Sequence, residues 1–252
     1  MKHSAIPLFL LAVLPIAGCY PAWGTASPPP TPSPLTPTIL THPKPALKTD
    51  WTPFRDAGCM VPVDWKLYCP EESPLGVLGC EEIRRPSPFF GGLDPAYPIA
   101  LCLASRSPEG GKKPFYTLGC GWRMDVFYVI REQGEFRLLD SRDALQETFA
   151  PVESPEEALS YAMAVTGYHA SFDGVYGHVA PEDYRYAAEI IEDTHVEPAE
   201  GGYTVNLYSR QGCGCGPKRT YEIVLRVTAE GAVETLSKTA AYDDMADTVC
   251  VD

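Results

Sequence analysis

Alternating apolar and polar residues predict β-strands in the second half of the chain. From Trp122 to Ile130 every second residue is apolar, which gives a strand one apolar face. Glu132-Gln133-Gly134 is a turn sequence, and Phe136 and Leu138 continue the alternation beyond it. We therefore expect a β-hairpin over this region.

Three further strand patterns follow near the C-terminal end. Apolar residues alternate over 203–207 and again over 221–227, and Ala229-Glu230-Gly231 turns the chain into a last strand over 232–238. Because strands that are joined by short turns run antiparallel, this half is predicted to be a β-meander.

One helix is predicted between the two groups of strands. Ser154-Pro155-Glu156-Glu157 has the pattern of a capping box with proline in the first turn, and Gly167 is well placed to end the helix. The residues expected on its inner face are Ala158, Leu159, Ala162, Met163 and Val165. The predicted fold class is therefore α+β: an antiparallel meander with one packed helix, preceded by a loop-rich segment.

That preceding segment, residues 50–120, is dense in proline, glycine and cysteine. It predicts long loops held by disulfides, with short strands near 99–104 and 115–118. Two adjacent phenylalanines, Phe89 and Phe90, lie between turn residues; they either fill the core or form an exposed contact patch.

The N-terminus has the order of an export signal. Lys2 precedes an almost entirely apolar run from Ile6 to Ile16, which is too short to span a bilayer. The run ends in Ile16-Ala17-Gly18-Cys19, and this sequence resembles the lipobox of bacterial lipoproteins, which is an aliphatic residue, two small residues and a cysteine.

The resemblance covers residues 1–19 and implies a lipid anchor. It implies that residues 1–18 are a signal peptide removed after Gly18, and that Cys19 takes a diacylglycerol on its sulfur and often an acyl chain, such as palmitate, on its amino group. Two or three fatty chains suffice for stable anchoring in the lipid bilayer. Tyr20 stands where inner-membrane lipoproteins of enteric-type bacteria usually have Asp, which favours the outer membrane if the cell has two membranes.

A proline-rich tether is predicted over residues 19–49. Nine prolines lie in 21–47, and such a stretch favours an extended polyproline conformation over a packed core. Recognition of these prolines by a partner is the alternative. Residues 50–252 then form one globular, disulfide-rich domain, with a cysteine-rich part over 50–120 and an α+β part over 121–252.

The net charge argues against nucleic acid as a partner. The chain carries −13 at neutral pH, and loss of residues 1–18 removes Lys2 and no acidic residue. A surface this acidic repels nucleic acid and anionic headgroups. The anticipated partners are the bilayer, through acylated Cys19, and an envelope protein or peptide.

Eight cysteines remain after Cys19, and an even number in an exported chain predicts a disulfide framework. They are Cys59, Cys69, Cys80, Cys102, Cys120, Cys213, Cys215 and Cys250. Five lie in residues 50–120 and three in 121–252, so complete pairing requires at least one bridge between the two parts.

Cys213-Gly214-Cys215 has two interpretations. The thiols could act in disulfide exchange or bind a soft metal, with the flanking glycines admitting a substrate backbone. Alternatively, the segment is a hairpin loop held by two structural disulfides to two distant cysteines. The strand patterns on both sides favour the second interpretation.

A loop rich in histidine and aromatic residues is the other candidate for chemistry. A ligand surface is predicted for His169, Phe172, Tyr176 and His178, whose rings can stack on sugar or peptide. The two imidazoles could alternatively hold a metal, but His-x8-His has no fixed geometry, so no metal site and no cofactor is predicted.

The sequence contains no G-x-S-x-G, H-E-x-x-H, P-loop or dinucleotide-binding glycine pattern. We therefore expect a non-enzymatic binding or envelope-structural module that is held at the extracytoplasmic face of a membrane. The alternative is a thiol–disulfide or metal-dependent enzyme that uses Cys213 and Cys215 or the His169/His178 loop.

Overall fold

The computed structural model describes residues 35–105, 113–172 and 183–251. The predicted signal peptide, Cys19 with its lipobox and the first part of the predicted tether, residues 19–34, lie outside the described residues, as do Tyr176 and His178. Residues 34–252 belong to one compact unit.

Fourteen strands and three α-helices occur within the described ranges. In chain order the first half contains β1 (Thr38–Leu40), α1 (Thr52–Arg55), β2 (Met60–Val63), β3 (Lys66–Tyr68), β4 (Glu82–Arg84), a 3₁₀ helix (Pro88–Gly92), β5 (Ile99–Ala104), β6 (Tyr116–Leu118), β7 (Met124–Glu132) and β8 (Glu135–Leu139). The second half contains α2 (Arg142–Phe149), α3 (Pro155–Thr166), β9 (Tyr184–Tyr186), β10 (Ile190–Glu192), β11 (Val196–Ala199), β12 (Gly202–Arg210), β13 (Lys218–Thr228) and β14 (Val233–Asp244). The α+β class is confirmed.

Two antiparallel sheets make up most of the structure. The first has the order β2-β3-β4-β5-β7-β6, with β8 also paired to β7; the second has the order β11-β12-β13-β14-β9. The predicted β7–β8 hairpin is present, and its turn uses Gln133 and Gly134, both of which have positive φ. The predicted meander is β12-β13-β14.

Helix α3 contributes to the core between the two sheets. Ser154 caps the helix by accepting a hydrogen bond from the amide of Glu157, and Gly167 ends it in the left-handed conformation at φ 71°. The core cluster around the helix includes Tyr128 and Ile130 of the first sheet, together with residues of β12 and β13. The Tyr128 hydroxyl donates to the carbonyl of Ala164 at 2.9 Å, which ties the first sheet to the helix.

This position of the helix changes two expectations. The helix has no single inner face, because all residues from Ala158 to Val165 are buried. Strand β7 likewise buries both faces: Tyr128 faces the helix, whereas Phe127 and Val129 belong to a second core beneath α1. Trp122, which was expected to begin this strand, precedes it and is 79% exposed.

The cysteine-rich part is more regular than its composition indicates. Strands β2, β3 and β4 were not predicted, and they extend the first sheet beyond β5. The Phe89-Phe90 pair fills the core, since both rings are less than a tenth exposed.

All eight domain cysteines form disulfides. The pairs are Cys59–Cys69, Cys80–Cys102, Cys120–Cys213 and Cys215–Cys250. Because residues 50–120 and residues 121–252 each hold an odd number of cysteines, at least one bridge must join the two parts. That bridge is Cys120–Cys213. Four disulfides are typical of an oxidising, extracytoplasmic compartment.

Residues 35–49 lie against the folded domain instead of extending away from it. Strand β1 pairs in parallel with β10, with Thr38 opposite Ile190 and Leu40 opposite Glu192. The expectation of a free spacer through residue 49 therefore does not describe this stretch. The reason is that β10 has an open edge and that residues 38–40 keep the backbone N–H groups that the neighbouring prolines lack. These three residues can therefore pair with β10. We call residues 35–49 the docked arm.

Candidate functional site

The predicted ligand surface is divided by the fold. His169 is half-buried, and its backbone exchanges two hydrogen bonds with Tyr208, whose ring is 6.5 Å from the imidazole. Burial, with the nearby Arg210 guanidinium adding to it, lowers the pKa of His169 to about 4. A neutral histidine at such a position serves packing rather than ligand contact.

Phe172, the other described member of that group, lies at a surface cleft. Its ring is 5.3 Å from that of Phe89, and the Lys44 ammonium is 5.8 Å from both ring centres. This cation–π contact links the docked arm to the aromatic pair.

The cleft has a volume of about 190 Å³ and lies between the docked arm, the first turns of α3 and the β10–β11 connection. The arm contributes one wall, and the lining combines proline, leucine, valine and phenylalanine side chains with histidine, threonine and glutamate. The residues that line it are His42, Pro43, Pro45, Pro155, Glu156, Leu159, Phe172, Thr194, His195 and Val196. A concave apolar surface with a few polar groups is the usual form of a ligand site.

Backbone hydrogen bonds fix the arm next to the cleft. The amide of Thr38 donates to the carbonyl of Glu189 at 2.8 Å, and the amide of Asp193 donates to the carbonyl of Leu40 at 2.8 Å. The amide of His42 donates to a carboxylate oxygen of Asp193 at 3.2 Å. Together these bonds position the His42 side chain over the end of β10.

Further along the arm, the backbone itself comes close to the 3₁₀ helix. A Cβ on Gly91 would lie 2.1 Å from the carbonyl oxygen of Lys48, so only glycine permits this approach. Leu47 packs against the main core. The arm thus contacts the domain at several points between Thr38 and Lys48 and not only at β1.

His42, Glu192 and His195 form a cluster at this end of the cleft. Nε2 of His42 is 2.7 Å from Oε1 of Glu192, and Nδ1 of His195 is 3.8 Å from the same oxygen. The two imidazole rings stack with centres 4.3 Å apart. Among the described residues, this is the one group of three whose ligand atoms all lie within 4.8 Å of one another.

A second layer of polar groups lies behind the cluster. The backbone amide of Asn206 donates to the carbonyl of His195 at 3.0 Å, and its side-chain amide donates to the carbonyl of Glu192 and to the carboxylate of Glu222. Burial raises the pKa of Glu222, and the negative charge of Glu192 raises it further. The hydrogen bond from Asn206 lowers this pKa and so offsets part of the rise. The chain's single asparagine therefore fixes the backbone that carries two members of the cluster.

This cluster was not predicted from the sequence. Glu192-x-x-His195 is a local pattern that could have been noticed, since it brings a carboxylate and an imidazole within three residues. His42 gave no such signal, because it lies 150 residues earlier in a proline-rich stretch that was expected to be unpacked.

The Cys213-Gly214-Cys215 loop joins β12 to β13, as expected for a hairpin connection. Its two cysteines are bonded to different partners, Cys120 and Cys250, rather than to each other. This arrangement matches the structural interpretation of the motif and does not provide the bonded pair that a dithiol exchange site uses.

A second exposed feature is the β2–β3 hairpin at the edge of the first sheet. Its residues Met60, Val61, Val63, Trp65 and Tyr68 are each more than two-fifths exposed. Exposed apolar groups that cluster on an edge strand are typical of contact surfaces.

No protein family, characterised protein or solved structure shows detectable similarity to this chain. Within the described residues, no helix has the length and apolar character needed to cross a membrane.

Proposed function

We propose that this protein is a lipid-anchored, extracytoplasmic binding module without enzymatic activity. The Ile16-Ala17-Gly18-Cys19 sequence supports anchoring through Cys19, and the complete pairing of the other eight cysteines supports export to an oxidising compartment. With two membranes, the outer one is the favoured location.

The cleft beneath the docked arm is the observation that carries the binding part of this proposal. It combines an apolar wall with the imidazoles of His42 and His195 and the carboxyl group of Glu156. Its volume of about 190 Å³ is below the range of roughly 300–1,000 Å³ of sites that enclose drug-sized ligands. The expected occupant is therefore a side chain or short segment of an envelope protein or peptide.

Site-specific photo-crosslinking in intact cells tests this assignment. A photoreactive residue replaces Pro43 or Glu156 at the cleft, and Val61 or Trp65 at the exposed hairpin. Glu234, which is exposed on β14, is the control position. We expect a discrete crosslinked product from the two cleft positions and none from Glu234.

Two results would overturn the cleft assignment. One is a product from the hairpin positions alone, which would move the binding surface to the edge of the first sheet. The other is the absence of any product from the cleft positions in cells where the protein is expressed and membrane-bound.

A further inference from the structure

We propose that His42, Glu192 and His195 bind a divalent transition metal of the zinc class, and that the metal fastens the docked arm to the domain. This inference deepens the proposed function and rests on it for the use of the cleft. It departs from the sequence-based expectation of no metal site.

The geometry of the three donors is close to what zinc requires. Zinc bonds to imidazole nitrogen and carboxylate oxygen are about 2.0–2.2 Å long, so neighbouring ligand atoms in a tetrahedral site lie roughly 3.3 Å apart. The separations of 2.7 Å from His42 and 3.8 Å from His195 to the shared Glu192 oxygen bracket that value. Small side-chain movements would bring all three donors to one ion.

The chemistry of the donor set selects the metal class. Two imidazoles and one carboxylate suit zinc and its first-row neighbours, whereas Ca²⁺ and Mg²⁺ prefer sets made of oxygen alone and Cu⁺ prefers sulfur. Cysteine thiols do not compete, because the eight domain cysteines are in disulfides.

The site is half-buried and backed by the protein. The side chains of His42 and Glu192 are each 31% exposed, and that of His195 is 18% exposed. Nδ1 of His195 is 2.9 Å from the carbonyl of Asp193, and metal binding through this nitrogen would replace that hydrogen bond. Asn206 holds the backbone of both Glu192 and His195. Such outer contacts orient metal ligands.

Three protein ligands leave a fourth position for water or for a donor atom of the bound partner. Since His42 and His195 both line the cleft, that position is next to the proposed binding surface. The metal would therefore join two functions: it closes the arm over the cleft, and it presents an open coordination site there.

Zinc titration of the full-length mature protein tests the site. The protein is purified in detergent without a polyhistidine tag, treated with a chelator, and titrated with ZnCl₂ by calorimetry near neutral pH. The ligand variants are His42→Gln, Glu192→Gln and His195→Gln. Glu189→Gln, which removes an exposed neighbouring carboxylate, is the control variant.

We expect one zinc ion per chain in the wild type and in Glu189→Gln. Each ligand variant should bind at least about tenfold more weakly, since each removes a direct ligand. Unchanged affinity in His42→Gln, or loss of binding in Glu189→Gln, would overturn the proposal. Circular dichroism checks that each variant is folded.

Trypsin cleavage after Lys48 gives a second readout of the arm. If zinc binds only the docked state, cleavage of the wild type should slow by about a hundredfold at zinc concentrations a hundred times Kd. The ligand variants should show no protection, and protection in them would contradict the role of the cluster. Photo-crosslinking at the cleft is measured separately, so a failed zinc titration and a failed binding assignment give different results.

Discussion

Cys120 and Cys213 form a disulfide across 93 residues of chain, and this bond joins the end of β6 in the first sheet to the β12–β13 loop in the second. Cys215, one residue beyond Gly214, is bonded instead to Cys250 near the C-terminus. The two cysteines of this motif therefore link the second sheet to the first sheet and to the C-terminal segment.

The first prediction concerns free thiols. Because all eight domain cysteines are paired, the purified native domain should show no titratable thiol without reductant. Alkylation with mass spectrometry measures this. Rapid labelling of Cys213 or Cys215 after mild reduction, with the other bridges intact, would favour the thiol–disulfide enzyme over the binding module.

The second prediction compares two bridges by the length of chain that they close. The pair of changes Cys120→Ser and Cys213→Ser opens a 93-residue loop, whereas Cys59→Ser and Cys69→Ser open one of 10 residues. Loop-closure entropy then makes the first pair more destabilising by about 2 kcal/mol. Urea unfolding of the two double variants measures the difference, and equal losses would show that strain or unfolded-state structure dominates.

The third prediction is a pH dependence of stability from His169. Its folded-state pKa of about 4 lies below the unfolded value of about 6.5, so on acidification the unfolded state takes up the proton first. Stability from this residue is complete above about pH 6.5 and is lost as the pH falls towards 4, by up to roughly 3 kcal/mol. Other groups also titrate in this range, so the test is a comparison.

In that comparison, the free energy of unfolding of wild type and His169→Phe is measured from neutral pH down to about pH 4. The variant should lose less stability on acidification than the wild type. Parallel curves for the two proteins would mean that His169 is not the half-buried neutral group described above.

The fourth prediction concerns Gly167 at the end of α3. A Cβ there would lie 2.7 Å from the ring of Tyr116, and the residue has φ 71°. Gly134 also has positive φ, but a Cβ added to it would contact nothing within 4 Å. Gly167→Ala should therefore be less stable than Gly134→Ala by about 1–3 kcal/mol, since only the former adds a steric clash to the backbone strain. Equal melting temperatures would contradict this packing.

Much of the fold could be predicted because local patterns and long-range contacts agree there. Strand β5 was predicted from its apolar run. Helix α3 was predicted from Ser154 and Gly167, whose capping roles are indicated by the residues next to them in the sequence. Strands β2 to β4 were overlooked because each has only three or four residues, too few to establish a period. They exist because β4 pairs with the edge of β5, β3 pairs with β4, and β2 pairs with β3.

The candidate site was the least predictable part of the structure. It depends on β1 pairing with β10, which brings His42 to Glu192 across 150 residues. Nothing in the local sequence of a proline-rich stretch indicates that it pairs with a distant strand. Of the two described residues of the predicted ligand surface, Phe172 lines the cleft, whereas the ring of His169 points towards the interior.

Anchoring through Cys19 outside the cytoplasm is the central part of the proposed function. It is tested most directly by the mass of the N-terminal peptide of mature protein extracted from membranes. We predict a peptide that begins at Cys19 and carries diacylglycerol and fatty-acid mass, and we predict that Cys19→Ala accumulates as uncleaved precursor. A mature wild-type protein that begins at another residue and carries no lipid would contradict the account.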